Sequence, residues 1–448
     1  MSTVQEFPYL AGVADVDVTP AVGSKLAGFA ARTADSTGVY LPLRCIVTAL
    51  TDCATDRTLL LVSIEWLGFY DNTPEVRARV SAATGVPEGD ILLCGTHTHC
   101  GPPIRKFVDA DCRGGIDAAY VESAFVKVVA ACRAAMAARE PVRLSSSTGW
   151  CGFAHCRRRP DGHGGVAWAP TLEGPHDHRV PLLAMHAADG GLKHLVFGYT
   201  AHTTSSGAIL EIGGDYAGFA LRELEEQLGC TATFLQGCAG DQKPFVPHPA
   251  HDNFPSYPIP EIHALGRQLA AAAVRELRHG RWQAVTGTLA IDRVVIDLHT
   301  VVLPRADYAA YLESDNEFFA RWARENLAHL DAGRLPPTAV PFEIQTVRFG
   351  TSLAMIAMSA EMSVEYALRA LQEFGHDYGT VWPFAYANEI LGYVCSERQR
   401  PEGGYEVFAC MQYLMKSGPL ASGTEDQIFA AMHRLLDGGP RSTDAKPA

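Results

Sequence analysis

Apolar positions along this chain come in two spacings. Short aliphatic or β-branched runs occur at 58–66 (TLLLVSIEW), 91–95, 194–199, 231–235, 285–296 and 353–358. Runs this short and this continuous predict strands covered on both faces. At 118–138, 217–228, 262–278, 308–330, 364–374 and 424–436 the apolar residues recur near every 3.6 positions, which predicts helices. Asp215 or Tyr216 is placed to open the second helix and Gly229 to close it, and Ser422 or Thr424 is placed to cap the last. Strand runs alternating with helical stretches mark an α/β class. The runs at 285–296 and 340–349 lack a helix-sized crossover on every side, so the expected core is a mixed β-sheet flanked by helices, not an all-parallel one.

No repeat of 20 to 50 residues and no low-complexity linker divides the chain. One domain over 9–437 is expected, followed by a disordered tail at 438–448. With 448 residues, 47% of them hydrophobic and 19% charged, the chain can bury a sizeable core, and dominant disorder is excluded. Lys plus Arg number 37 against 50 Asp plus Glu, a formal net charge of -13. That balance argues against nucleic-acid binding and gives no pull toward an anionic membrane. The apolar runs fall short of the ~20 residues that span a bilayer. The start, MSTVQEFPYLAGVADVDVTP, has neither a basic nor an apolar signal region. The 12 cysteines are scattered without CxxC, as expected of reduced, buried thiols in a cytoplasmic protein.

The sharpest local feature is Gly95-Thr96-His97-Thr98-His99-Cys100-Gly101-Pro102-Pro103, directly after an apolar run. On an extended chain, residues i and i+2 point the same way, so two imidazoles can face one metal ion or one substrate. The plainer alternative is a pair of loop histidines bonded to backbone. Other strand ends repeat the pattern: His202 follows 194–201, Gly240-Asp241 follows 233–239 and Glu361 follows 353–360. In open α/β sheets, sites assemble at the carboxyl ends of strands. Glu361 also precedes a helix, where a carboxylate is favourable in its own right. HExxH, GxSxG, the phosphate loop and the dinucleotide fingerprint are absent, which removes the serine-hydrolase, P-loop NTPase and nicotinamide readings.

The ordered series GVADVDVTP, LLLVSIEWLG, ILLCGTHTHCGPP, FGYTAHTTSSG, GGDYAGFALRELEE, FLQGCAGD, MSAEMSVEYAL, NEILGYVCSERQRPEGGYE and LASGTEDQIFAAMHRLL resembles the catalytic domain of the neutral/alkaline non-lysosomal ceramidase family over about 9–437. The resemblance implies a mononuclear zinc amidase fold, with His97, His202, Glu361 and Tyr393 as the metal ligands. It implies that His99 acts beside the metal in acid–base chemistry or substrate binding, that Tyr405 faces the scissile group, and that one arginine of Arg157, Arg158 and Arg159 enters the site. Glu65 and Asp215 resemble family acidic positions, as structural or supporting groups. Characterised relatives carry an immunoglobulin-like carboxy-terminal domain and often a secretion signal, and neither is expected here. The family's serine after Gly-Asp is missing, because this chain reads Gly240-Asp241-Gln242-Lys243-Pro244-Phe245.

These residues lead to the expectation of a zinc-dependent hydrolase acting on an amide, ester or lactone bond of a small, soluble substrate, with Asp241 orienting a histidine or a water. The alternatives are a true ceramidase cleaving N-acyl sphingosine, a degenerate member that only binds a metal or ligand, and an oxidoreductase or lyase using the same metal.

Overall fold

A computed structural model describes residues 7–106, 115–248 and 251–437. The tail expected at 438–448, and Cys112, lie outside the described residues. The core is a mixed sheet, as the run pattern predicts. Its nine strands include two parallel pairs, Thr58–Ile64 with Ile91–Gly95 and Leu192–Tyr199 with Thr231–Gln236, joined through antiparallel neighbours. The sheet curls until these two pairs approach each other. Ser63 Oγ donates to the Phe234 carbonyl at 2.7 Å, and His194 Nε2 lies 3.0 Å from both Thr48 and Thr233.

A second, four-stranded sheet (Leu289–His299, Ala339–Phe349, Leu353–Met358, Thr380–Phe384) packs against the first. Strand alternation explains the continuous apolar runs. Leu59 and Leu61 face the core between the sheets, where they meet Val347, Phe349 and Met355. Leu60, Val62 and Ile64 point the other way, into the core that contains helix Ala118–Ala137. Helices Asp215–Leu228 and Ile259–His279 cover the strands around Leu192–Tyr199 through Leu221, Leu224, Leu265 and Leu269. No separate immunoglobulin-like unit occurs among the described residues, and none of their helices is long and apolar enough to cross a membrane. Every described cysteine is a free thiol, and all but Cys53 and Cys230 are buried.

Two expected elements are corrected. The helix expected at 308–330 is two helices, Arg305–Ala309 and Glu317–Asp331, because Asn316 accepts the Phe318 N–H at 3.0 Å and starts the second one anew. The strand expected at 285–296 is split at Gly287, which sits at φ +99°. Gln283–Val285 joins the large sheet and Leu289–His299 the small one. Asp215 opens its helix at φ +53°, and Gly229 closes it in the left-handed region.

Candidate functional site

Three of the four strand ends flagged in the sequence, those that carry His97, His202 and Glu361, deliver their residues to one place. After Ile91–Gly95 the chain turns. Thr96 N–H bonds the Ile64 carbonyl and His97 N–H that of Trp66, both at 2.8 Å, which holds His97 at φ +64°. His202 follows Leu192–Tyr199 and is tied to the same loop, since Thr203 Oγ1 donates to the Thr96 carbonyl at 2.9 Å. Glu361 and Tyr393 become neighbours because the short parallel ladder Glu361–Met362 with Tyr393–Val394 pairs them in register. Gly240 lets the loop after Thr231–Gln236 pass this ladder, since a Cβ there would meet the Glu361 carbonyl at 2.5 Å.

The side chains converge. His97 Nε2 lies 3.0 Å from His202 Nε2, 3.2 Å from His99 Nε2 and 3.2 Å from Glu361 Oε2, and Tyr393 Oη lies 3.5 Å from His202 Nε2. All five residues are buried. Each imidazole is turned the same way. His97, His99 and His202 Nδ1 contact the carbonyls of Leu67, Gly28 and Ala239 at 2.9, 2.8 and 2.9 Å. A carbonyl only accepts, so each Nδ1 carries the proton. In the neutral rings, the three Nε2 lone pairs then face one another. Burial, with the neighbouring His97 next, pushes His99 and His202 well below the usual histidine range, so both stay neutral. Glu361 Oε2 has no hydrogen-bond partner. Crowded lone pairs beside a buried, unpartnered carboxylate oxygen fit a cation, and the nitrogen and oxygen donor set suits zinc.

The sulfur nearest the motif is not part of this set. Cys100 Sγ meets Ser206 Oγ at 3.3 Å, and burial raises the thiol to about 11. Burial likewise raises Cys94, so both thiols flanking the histidines are inert.

A cleft of about 530 Å³ opens on this centre, with His99, His202 and Tyr393 in its wall. Of the three consecutive arginines, Arg157 lines it. The Arg157 guanidinium lies 4.2 Å over Trp168, 5.4 Å from Tyr393 and 5.7 Å from Tyr405, and its Nε donates to Glu406 at 2.7 Å. Arg158 turns away to Glu406 and Glu402 at 2.6 and 3.0 Å, and Arg159 reaches exposed Asp252. Tyr405 also lines the cleft, edge-on to Tyr393 at 5.2 Å.

Asp241 differs from its expected role. Its oxygens accept from Val364 N–H, Gln242 and Gln399 at 2.9, 3.1 and 2.7 Å, which anchors helix Val364–Phe374, and burial pushes its carboxyl up to about 6. Of the two expected roles, orienting a histidine or a water, the first is not seen for His202, whose Nδ1 bonds the Ala239 carbonyl. Asp215 accepts the Ser205 N–H at 2.9 Å and steadies the loop after His202, while Glu65 accepts Arg44 N–H at 2.7 Å. Both are supporting groups. Sequence reasoning missed Glu406, Trp168, Lys243 and Tyr386, whose Oη is 3.4 Å from His202 Nδ1. None carries a local signal, since each becomes part of the site only through long-range packing.

No family model and no curated protein matches the chain. Solved structures do, two ceramidases among them. Neutral ceramidase from Pseudomonas aeruginosa is 20% identical, with a TM-score of 0.76, covering 99% of this chain and 76% of that one. A structure described as ceramidase complexed with C2 is 20% identical, with a TM-score of 0.75, covering 99% and 77%. In architecture, then, the chain has the neutral-ceramidase-like fold that its ordered motifs imply.

Proposed function

We propose that the protein is a zinc-dependent hydrolase of an amide bond, of the neutral-ceramidase type. The observation that carries this reading is the convergence of three outward-bare Nε2 atoms on a partnerless Glu361 oxygen beside an open cleft. His97, His202, Glu361 and Tyr393 would hold the ion. Bound there, zinc supplies a Lewis acid for a carbonyl and lowers the pKa of water toward ~7. His99 is fixed through Nδ1 and presents Nε2 at the cleft wall, where it takes a proton from the attacking water and passes it to the leaving amine. Arg157, held by Glu406, and Tyr405 line the cleft and would stabilise the negative charge that develops on the former carbonyl oxygen. Two cations in the cleft wall, Arg157 and Lys243, favour a small polar amide over membrane ceramide.

The test is metal content by mass spectrometry on protein purified without added zinc, paired with a panel of acyl amides, esters and lactones. Near-stoichiometric zinc with amide turnover, lost on chelation and restored by zinc, is the expected result. Full activity in the metal-free protein would defeat the reading. Turnover confined to long-chain N-acyl sphingoid bases would replace the small substrate with ceramide.

A further inference from the structure

The cleft has one cation that no described carboxylate pairs directly. Arg157 is paired with Glu406, a carboxylate it shares with Arg158, and Glu402 completes that network. Lys243 stands on the strand Gln242–Pro244, in register with His155 of the neighbouring strand, and lines the same cleft. Its ammonium donates to the Thr204 carbonyl at 2.5 Å and to Thr204 Oγ1 at 3.0 Å. Among the described residues no carboxylate lies within 4.0 Å of it. An ammonium has three N–H donors, so one is left over. The Phe254 ring, 6.0 Å from Nζ, leaves this part of the wall partly apolar. The described carboxylate that acts on it, Asp215, lies beyond ion-pair distance, so the spare N–H stands at the cleft wall without an anionic partner.

We infer that Lys243 selects substrates carrying one free carboxylate, which sits against Nζ while the amide lies at the histidine centre, so that the preferred class is N-acyl amino acids and similar anionic amides. One spare N–H and one unit of charge match a carboxylate better than a phosphate dianion, which calls for several donors. The aromatic walls formed by Phe29, Trp168 and Phe254 provide room for an apolar acyl group or side chain. Burial, partly offset by the Asp215 carboxylate and reinforced by nearby Arg157, lowers the lysine to about 8, so it remains cationic at neutral pH, and an anion in direct contact would favour its charged form.

This inference rests on the hydrolase reading for calling the ligand a substrate, and the experiment separates the two. Isothermal titration calorimetry at pH 7 compares N-acetylphenylalanine, N-acetylphenylalaninamide and phenyl phosphate on the protein as purified and after chelation. At least tenfold tighter binding of the carboxylate than of the amide is expected in both forms, with phenyl phosphate no better. Lys243→Met should erase the preference, and Lys243→Arg should keep most of it. Thermal unfolding shows whether each variant is folded. Equal affinities in the wild type, no binding by any probe, tighter phosphate binding, or an unchanged preference in Lys243→Met would overturn the inference. If the zinc-loaded protein turns over no amide while the carboxylate preference holds, the hydrolase reading fails and the anion subsite stands.

Discussion

Two buried polar clusters, one along strand Ile91–Gly95 and one just past its end, are built on opposite principles. In the first, Arg77 reaches across from helix Thr73–Thr84 to Glu343 at 2.8 and 3.0 Å and to Gln345 at 3.0 Å, and its Nε donates to the Ile91 carbonyl at 3.1 Å. Asn388 donates to Glu343 and Gln345 at 3.2 and 3.0 Å and accepts Leu93 N–H at 3.1 Å. Donors meet acceptors throughout, and the cluster stitches the two sheets together. In the second, starting at His97 two residues past the end of that strand, acceptors meet acceptors. A satisfied buried network serves the fold, whereas a buried set of like lone pairs costs stability until a ligand arrives.

The largest effect should come from breaking the second cluster. His97→Ala should lower amide hydrolysis on the order of 10⁴-fold, about 5 kcal/mol of transition-state stabilisation, with zinc lost in parallel. The same variant should change the stability of the metal-free protein by less than about 1 kcal/mol, because removing one crowded lone pair offsets part of the cavity it leaves. Metal analysis, steady-state kinetics and urea unfolding read the three quantities. A variant that keeps its zinc and its rate would remove the basis for treating the two clusters differently.

Arg77→Ala reverses the pattern. It leaves Glu343 buried and unpaired, which should cost about 3–5 kcal/mol of stability. The fraction that stays folded should bind zinc and turn over substrate as the wild type does. Urea unfolding with zinc stoichiometry on the folded protein decides this. Loss of zinc from folded Arg77→Ala would mean that the stitching cluster also shapes the site.

Much of this contrast was legible beforehand. The strand ends that carry His97, His202 and Glu361 stood out because an apolar run leading into a metal-competent residue is a local pattern, and the helices 364–374 and 424–436 match their expected bounds. What stayed hidden depends on distant partners. Helix Thr73–Thr84 escaped because Arg77, a buried residue, interrupts its apolar face and is tolerated only through Glu343. Strand Ala154–Pro160 reads as a charged loop until Glu406 is seen to neutralise Arg157 and Arg158. The shared Glu406 also explains why the arginine of the site could not be singled out by sequence, and Asp241 binds a helix end through Val364 and Gln399, partners more than 100 residues away.

Arg157 lies between the two principles, because it is paired yet faces the cleft. Arg157→Lys should lower kcat/KM about 10²-fold, the scale of one lost oxyanion donor. Its stability should shift little, since Glu406 keeps Arg158 at 2.6 Å. A kinetic loss that appears only in KM would assign Arg157 to ground-state binding and leave the charge developing on the carbonyl oxygen to other groups.

The smallest effect tests whether missing partners alone mark a site. His155 is buried, and neither of its ring nitrogens has a hydrogen-bond partner, yet no further metal-competent donors converge with it among the described residues. Its ring stands edge-on to His178 at 5.4 Å and tilted to His176 at 6.4 Å. Burial first, then those two rings, lowers its pKa from 6.5 to about 4. The folded protein therefore resists the proton that the unfolded chain accepts. Above pH 6.5 both states are neutral and the group contributes nothing to the pH dependence. As pH falls from 6.5 to 4 the unfolded state is favoured, by up to about 2 kcal/mol from this residue. His155→Phe should flatten that part of the stability profile in urea unfolding at pH 7, 6, 5 and 4, while leaving zinc content and turnover at pH 7 unchanged. If the variant instead lost zinc, lack of a partner would itself be the mark of a ligand. If zinc is retained, what defines the site is the convergence of bare donors on one point, which His97, His99, His202 and Glu361 share and His155 lacks.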